Sequence, residues 1–221
     1  KGRGRALRSA FLGSEASWIG YMDADLSTHL KALPEALRCL EAGADLVVGS
    51  RLTPASHTVR RPHREVLSRA YNVLVRRLFA TRVRDHQCGF KFLTREVCRG
   101  LVPQTRDDLW FFDTELLVLA QRADRRVEEI PVDWIEDLGS TVNMARTVRD
   151  DLVGMWRVRQ RLRSRSCWGL GGRRPPGRRE SRSGPRELDA STAPRLGVAR
   201  LQAQGPAVPL RDLAREDETD A

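Results

Sequence analysis

The sequence predicts an α/β domain over roughly the first three quarters of the chain, on three observations. Short apolar runs of strand length alternate with amphipathic helical stretches up to about Arg163; the first of those runs stops at a pair of aspartates, Asp23 and Asp25; and from about Ser164 the chain turns to Arg, Pro, Gly, Ser and Ala with few large hydrophobes. Such an alternation is the rhythm of a parallel sheet covered by helices.

Taken in order, Ala6 to Phe11 reads as a helix opened by a glycine-rich basic turn, and Trp18 to Met22 as a short buried strand. Leu30 to Ala42 places Leu33, Ala36, Leu37 and Leu40 on one helical face, with Pro34 tolerated in the first turn and Gly43 as the stop. Asp45 to Gly49 is a second buried strand running into Ser50 and Arg51. Residues 52–63 have no period and read as a flexible loop, after which Glu65 to Phe79 returns to helical spacing. Gly89 to Leu93 is a strand, Arg95 to Leu101 a short helix, and Asp113 to Ala123 a strongly apolar helix with Asp113 as its expected cap. Val127 to Trp134 is a strand in which Pro131 implies an edge or a bulge. Val148, Leu152, Met155, Trp156 and Leu162 then form one apolar stripe on an arginine-rich helix. The expected organisation is a domain over 1–140, a basic amphipathic helix over 141–163 and a disordered tail over 164–221.

Charge is unevenly placed. The formal charge is +10, and residues 157–200 hold 13 of the 39 basic residues but only 3 of the 29 acidic ones, so the remainder is balanced. A neutral body with a basic end argues against a sequence-reading nucleic-acid domain and leaves a membrane-facing flank or a solvated tail. Cys39, Cys88, Cys98 and Cys167 show no CxxC and no histidines at zinc spacing, which points to a reduced, cytosolic setting. No apolar run reaches the ~18 residues of a membrane span, so any membrane association is expected to be peripheral. The excess of Arg over Lys points to a GC-rich coding sequence and a bacterial source.

Two carboxylates on the loop after a buried strand project into the crevice at the carboxyl edge of an open α/β sheet, where ligands bind. Asp23 and Asp25 flank Ala24 there, and hard oxygen ligands of this kind suit Mg²⁺ or Mn²⁺ whose other positions are filled by water and phosphates. Turn and capping roles are the alternative. Asp85, Gln87 and Lys91 cluster around Gly89, a spacing that lets a sugar or phosphate approach closely or forms a turn before an edge strand. Glu115 lies two residues beyond Asp113, so on a helix the two cannot form an acid pair.

The order Lys1-Gly-x-Gly-x-Ala-Leu-Arg8, Asp23-Ala24-Asp25-Leu26-Ser27, Gly49-Ser50-Arg51, Asp85-x-Gln87-Cys88-Gly89-Phe90-Lys91, Phe112-Asp113-Thr114-Glu115 and Glu129-Ile130-Pro131-Val132-x-Trp134 resembles glycosyltransferase family 2. It is most similar to the branch that makes dolichyl- or polyprenyl-phosphate hexoses. The resemblance runs from Lys1 to about Arg163. It implies a GT-A fold with a Rossmann-like mixed sheet, a nucleotide-diphosphate hexose donor of the UDP-glucose or GDP-mannose type, a Mg²⁺ or Mn²⁺ ion and inversion at the anomeric carbon. It also implies that the first strand or strands, the base-binding loop and a further acidic motif lie upstream of Lys1, so the domain is expected to be partial.

By the same resemblance Asp23 and Asp25 are the metal and diphosphate motif, with Asp25 the direct ligand and Ala24 between them at the substrate. Arg51 meets the donor diphosphate or the acceptor phosphate, or is a surface arginine; Arg64 and Arg69 are weaker candidates for the acceptor phosphate. Asp113 takes the place of the family's general base, orients the sugar, or caps its helix. The acceptor is expected to be polyprenyl phosphate at the cytoplasmic face of a membrane, reached through the basic apolar-striped helix, or by docking of that stripe on the core. Two alternatives stay open: a saccharide or glycolipid hydroxyl as acceptor, and an inactive fragment that retains only membrane or polyanion binding.

Overall fold

In the computed structural model, residues 2–135, 144–164 and 196–200 are described. The helices are α1 (Arg3–Gly13), α2 (Leu33–Glu41), α3 (Pro62–Phe79), α4 (Arg95–Leu101), α5 (Phe112–Arg122) and α6 (Met144–Ser164). The strands are β1 (Trp18–Met22), β2 (Leu46–Ser50), β3 (Thr58–Val59), β4 (Phe90–Thr94), β5 (Val127–Pro131), β6 (Trp134–Ile135) and β7 (Leu196–Arg200). The main sheet has the order β5-β2-β4-β1-β7, and β3 pairs with β6 in a small second sheet.

The main sheet is mixed, as the family resemblance implies, and departs from the purely parallel arrangement that the helix–strand rhythm alone suggested. β4 runs antiparallel to both β1 and β2. The chain leaving β2 passes through α3 and re-enters at the same edge through the turn at 84–89, so β4 can only run back. β1, β2 and β4 obey the two-residue alternation. Ile19, Tyr21, Leu46, Val48 and Leu93 face α1, α4 and α5, with Phe11, Leu101, Phe112 and Leu116 behind them. Met22, Val47, Phe90, Phe92 and Ile130 face α2 through Ala36 and Leu40. α5 is buried on every side, because α3 and α6 cover it through Val75, Phe79, Val118, Met155 and Val158.

Several expectations are adjusted. The expected strand over 127–134 is two strands: β5 ends at Pro131 and is the sheet's edge, and β6 leaves to meet β3. The loop after Arg51 is pinned, with Ser56 Oγ donating to the Ser50 carbonyl at 2.6 Å and Thr58 Oγ1 to the Arg51 carbonyl at 3.2 Å. Phe111 is the N-cap of α5, so Asp113 lies inside the first turn and does not cap it. The tail, expected to be disordered, contributes β7, which runs parallel to β1 from Trp18↔Leu196 to Met22↔Arg200. Ser164, the first residue of that expected tail, ends α6, and the remainder of the tail, Cys167 and the boundary between the expected domain and its last helix lie outside the described residues. Among the described residues no helix is long and apolar enough to cross a membrane.

Candidate active site

The site forms where β1 and β2 end and β4 begins. Asp23 follows β1, and its N–H donates to the Gly89 carbonyl at 2.9 Å. Gly89 is required there: a Cβ on it would come within 1.8 Å of Asp23 Oδ2. The Asp23 turn closes through Leu26 N–H donating to the Asp23 carbonyl at 3.2 Å, and Leu26 has φ 55°. A leucine in that left-handed region costs about 1 kcal/mol and persists only where surrounding structure enforces it. The enforcement comes from Ile135 N–H donating to Ser27 O at 3.0 Å and His29 N–H to Asp133 O at 3.0 Å. Asp25 is exposed and its Oδ1 accepts from Ser27 N–H at 3.0 Å, while Ala24 is half-buried at the turn.

Asp113 lies beneath this turn. Register pairs Tyr21 of β1 with Lys91 of β4, and both side chains reach Asp113. The Tyr21 hydroxyl donates to Asp113 Oδ1, and Lys91 Nζ stands 3.4 Å from the same oxygen while donating to the Cys88 carbonyl at 2.5 Å. Arg3 Nη1 donates to Asp113 Oδ2, and its Nη2 donates to Asp23 Oδ1 at 3.0 Å. Burial alone would raise the Asp113 pKa, but the Arg3 and Lys91 charges and the Tyr21 and Arg3 hydrogen bonds hold it below the usual carboxylate range. Asp113 is therefore an ionised, fully engaged carboxylate.

Arg3 was not singled out from the sequence, although the glycine-rich turn that carries it was. A Cβ on Gly4 would lie 2.6 Å from Phe112 Cβ and 2.7 Å from the Asp107 carbonyl, so glycine lets α1 seat against the segment before α5. That contact brings Arg3 over the rings of Tyr21 and Trp110, 5.1 Å from each centroid.

Arg51 and Asp85 form a second cluster. Arg51 Nε and Nη2 fork onto the two Asp85 oxygens at 2.7 and 2.9 Å, and the backbone N–H groups of Arg51 and Gln87 add bonds of 3.1 Å each. Asp85 is fully buried and held far below the usual range, the Arg51 charge and hydrogen bonds overcoming its burial. Asp85, expected at the substrate, accepts four hydrogen bonds from within the protein. Lys91, also expected at the substrate, is completely buried under Asp113. Gln87 is turned toward α6, its Nε2 donating to Asp151 Oδ2 at 2.9 Å. Glu115 points away from Asp113 and accepts from the Arg106 and Asp107 N–H groups at 2.8 and 2.9 Å, as its helical spacing requires. Burial pushes the Cys88 thiol up to about 12 and the His86 imidazole down to about 3, so neither is a reactive group near neutral pH.

Arg51 also lines a cavity of about 340 Å³ between α3, α6 and Trp134. Its wall combines Arg60 and Arg64 with Leu67, Leu74, Leu152 and Met155, and the Arg51 and Arg60 guanidinium groups lie 5.4 and 4.7 Å from the Trp134 ring centroid. Arg69 instead pairs with Glu65 at 2.6 Å and faces a neighbouring polar recess.

The sequence model described as Glycosyl transferase family 2 matches residues 1–102, a stretch that contains Arg3, Asp23, Asp25, Arg51, Asp85 and Lys91. The chain carries a family 2 glycosyltransferase domain. It is 43% identical over 155 residues to glycosyltransferase AglD of Haloferax volcanii, covering 70% of this chain and 24% of that protein. It is 32% identical over 177 residues to a dolichyl-phosphate beta-glucosyltransferase of Trichomonas vaginalis, covering 72% of this chain and 52% of the relative, and 33% identical over 178 residues to that of Drosophila melanogaster, covering 72% and 54%. The chain thus spans about half or less of the length of these relatives. In fold it is similar to glucosyl-3-phosphoglycerate synthase of Mycobacterium tuberculosis, solved with UDP, at a TM-score of 0.55 and 15% identity over 72% of this chain and 56% of that one. The family 2 domain therefore has the GT-A arrangement, with the Asp23 turn at the carboxyl edge of β1.

Proposed function

We propose that this chain supplies the catalytic domain of a metal-dependent, inverting glycosyltransferase that moves a hexose from a nucleotide-diphosphate sugar to a polyprenyl phosphate. The observation that carries the reading is the cavity between α3 and α6, where arginine and long apolar side chains share the lining with Trp134, which is bridged to Thr28. A phosphate on an isoprenoid chain has that dual chemistry. The likeness to dolichyl-phosphate glucosyltransferases supports the same acceptor class and favours a UDP-glucose donor over GDP-mannose.

The carboxylates fit a divalent cation. Asp25 is exposed and Asp23 half-buried on one turn, two carboxylates that offer hard oxygen ligands. This suits Mg²⁺ or Mn²⁺ completed by substrate phosphates and water. Bound there, the cation would neutralise charge on the departing diphosphate. A phosphate acceptor is already anionic near neutral pH and needs no base. Asp113, engaged by Tyr21, Arg3 and Lys91, then has an orienting role. Leu152, Val153 and Trp156 on α6 and Val66, Leu67, Val73 and Leu74 on α3 are exposed, an apolar face that suits peripheral contact with the cytoplasmic leaflet.

Calorimetry with UDP-glucose and GDP-mannose, with and without Mn²⁺, tests the donor half. Mn²⁺-dependent binding of UDP-glucose that disappears in Asp25→Ala is expected, and equal binding without metal would sink the reading. A hydroxyl acceptor is the second reading, favoured by the ionised Asp113 beneath the turn. Asp113→Asn should leave kcat on a polyprenyl phosphate within about tenfold, whereas loss of a general base would lower turnover on a hydroxyl about 10²–10⁴-fold.

A further inference from the structure

Among the described residues, Arg3 is the one side chain that bonds both Asp23 of the metal motif and Asp113, the site of the expected base. Its guanidinium is largely buried, with 11% of the side chain exposed, and is stacked over Tyr21 and Trp110 with one nitrogen on Asp23 Oδ1 and the other on Asp113 Oδ2. The Asp23 carboxylate lies over Gly89, where a Cβ would clash with both of its oxygens. Asp25 lies on the solvent side of the same turn and is bonded only to the Ser27 N–H among the described contacts. A divalent cation approaching this turn thus meets one accessible carboxylate and one already held by a fixed positive charge. Like charges at such separations repel, and the weaker-held oxygen is the one the cation can take.

We propose that Arg3 is a built-in cation of the diphosphate site: it ties Asp23 to Asp113, competes with the divalent metal for Asp23, and makes Asp25 the first carboxylate the metal meets. The inference rests on the metal-dependent reading given above and assigns to Arg3 a positioning role within it. One consequence is local. Withdrawing the Arg3 guanidinium frees an oxygen of Asp23 and an oxygen of Asp113 together, so the metal motif and Asp113 are linked through one side chain. The second consequence concerns affinity. The protein should hold the metal weakly until a diphosphate arrives, because the metal has to compete with an arginine.

The test is a Mn²⁺ titration followed by the electron paramagnetic resonance signal of the free ion, without nucleotide. Arg3→Gln should bind Mn²⁺ about tenfold more tightly than the unaltered chain, the scale of one charge-assisted hydrogen bond. Adding Asp23→Asn to Arg3→Gln should erase that gain. Unchanged or weaker Mn²⁺ binding in a folded Arg3→Gln variant would overturn the role assigned to Arg3. Should that variant unfold, Arg3→Lys is measured instead: its single ammonium cannot fork across both carboxylates, so it should bind Mn²⁺ several-fold tighter, and equal affinity would count against the proposal. Binding that is lost in Asp25→Ala but indifferent to Arg3 would refute only the arginine's role. No Mn²⁺ binding by any folded variant would remove the metal-dependent reading as well.

Discussion

Two arginines reach the carboxyl edge of the sheet and both are held by aspartate, yet the two clusters differ in what they leave open. Arg51 spends its fork on one carboxylate, and that carboxylate, Asp85, is fully buried and receives two backbone N–H groups besides. Arg3 divides its fork between two carboxylates, one buried and one with a third of its side chain exposed. The first arrangement is closed and holds the turn before β4 in place. The second has a member, Asp23, that solvent and ligands can reach. The difference shows that an arginine and an aspartate at a sheet edge carry no fixed role. Burial of the carboxylate decides whether the pair supports the site or takes part in it.

The largest expected effect separates the two clusters directly. Asp85→Asn leaves the Arg51 charge without its buried partner and should cost about 3–5 kcal/mol of stability in urea unfolding, whereas Asp23→Asn at the half-exposed end of the other cluster should cost about 1 kcal/mol or less. A stable Asp85→Asn variant that has lost donor binding would reverse the assignment and return Asp85 to the substrate. A smaller effect follows from Gln87, which links the Asp85 turn to Asp151 on α6. Burial, aided by Asp107, Asp150 and Asp113, pushes the Asp151 carboxyl up to about 7 against the opposing Gln87 hydrogen bond. A folded-state value raised above the unfolded one means that the native state binds the extra proton. The contribution to stability is full below the ordinary carboxylate range and is lost as pH rises through about 7. Asp151→Asn should therefore flatten the fall in stability between mildly acidic pH and pH 8, and at pH 8 the variant should be the more stable by about 1–3 kcal/mol in thermal or urea melts. An unchanged pH slope would mean that Asp151 ionises at its ordinary pH.

Part of the stripe on the last helix docks on the core, the reading that stood beside membrane contact, and part of it stays exposed. Met155 and Val158 are buried against Val75, Phe79 and Val118, with Leu162 packed beside them, while Leu152, Val153 and Trp156 remain exposed. Arg161, three residues and just under one turn from Val158, anchors the helix by pairing with the buried Glu115 at 2.8 Å. Helical periodicity reports which residues share a face. It does not report how wide a strip of that face the neighbouring helix covers.

Most of the helices and the longer strands before residue 135, in their order, were legible in the sequence, as were the glycine-rich turn, the Asp23–Asp25 pair and Pro131 at an edge strand: β1 and α4 occupy the residues that alternation and helical spacing assign to them. These are local properties, set by side-chain period, backbone restriction and turn chemistry within a few residues. Tertiary structure decided the direction of β4, the second small sheet, the pairing of β7 with β1, and the partners of each charged group. Arg3 is 110 residues from Asp113, and Arg51 is 34 from Asp85. Nothing local distinguishes an aspartate that will be buried under an arginine from one that will stand open on a turn. That distinction depends on which surfaces the packed helices bring together, because only folding sets the desolvation and the charges each carboxylate meets.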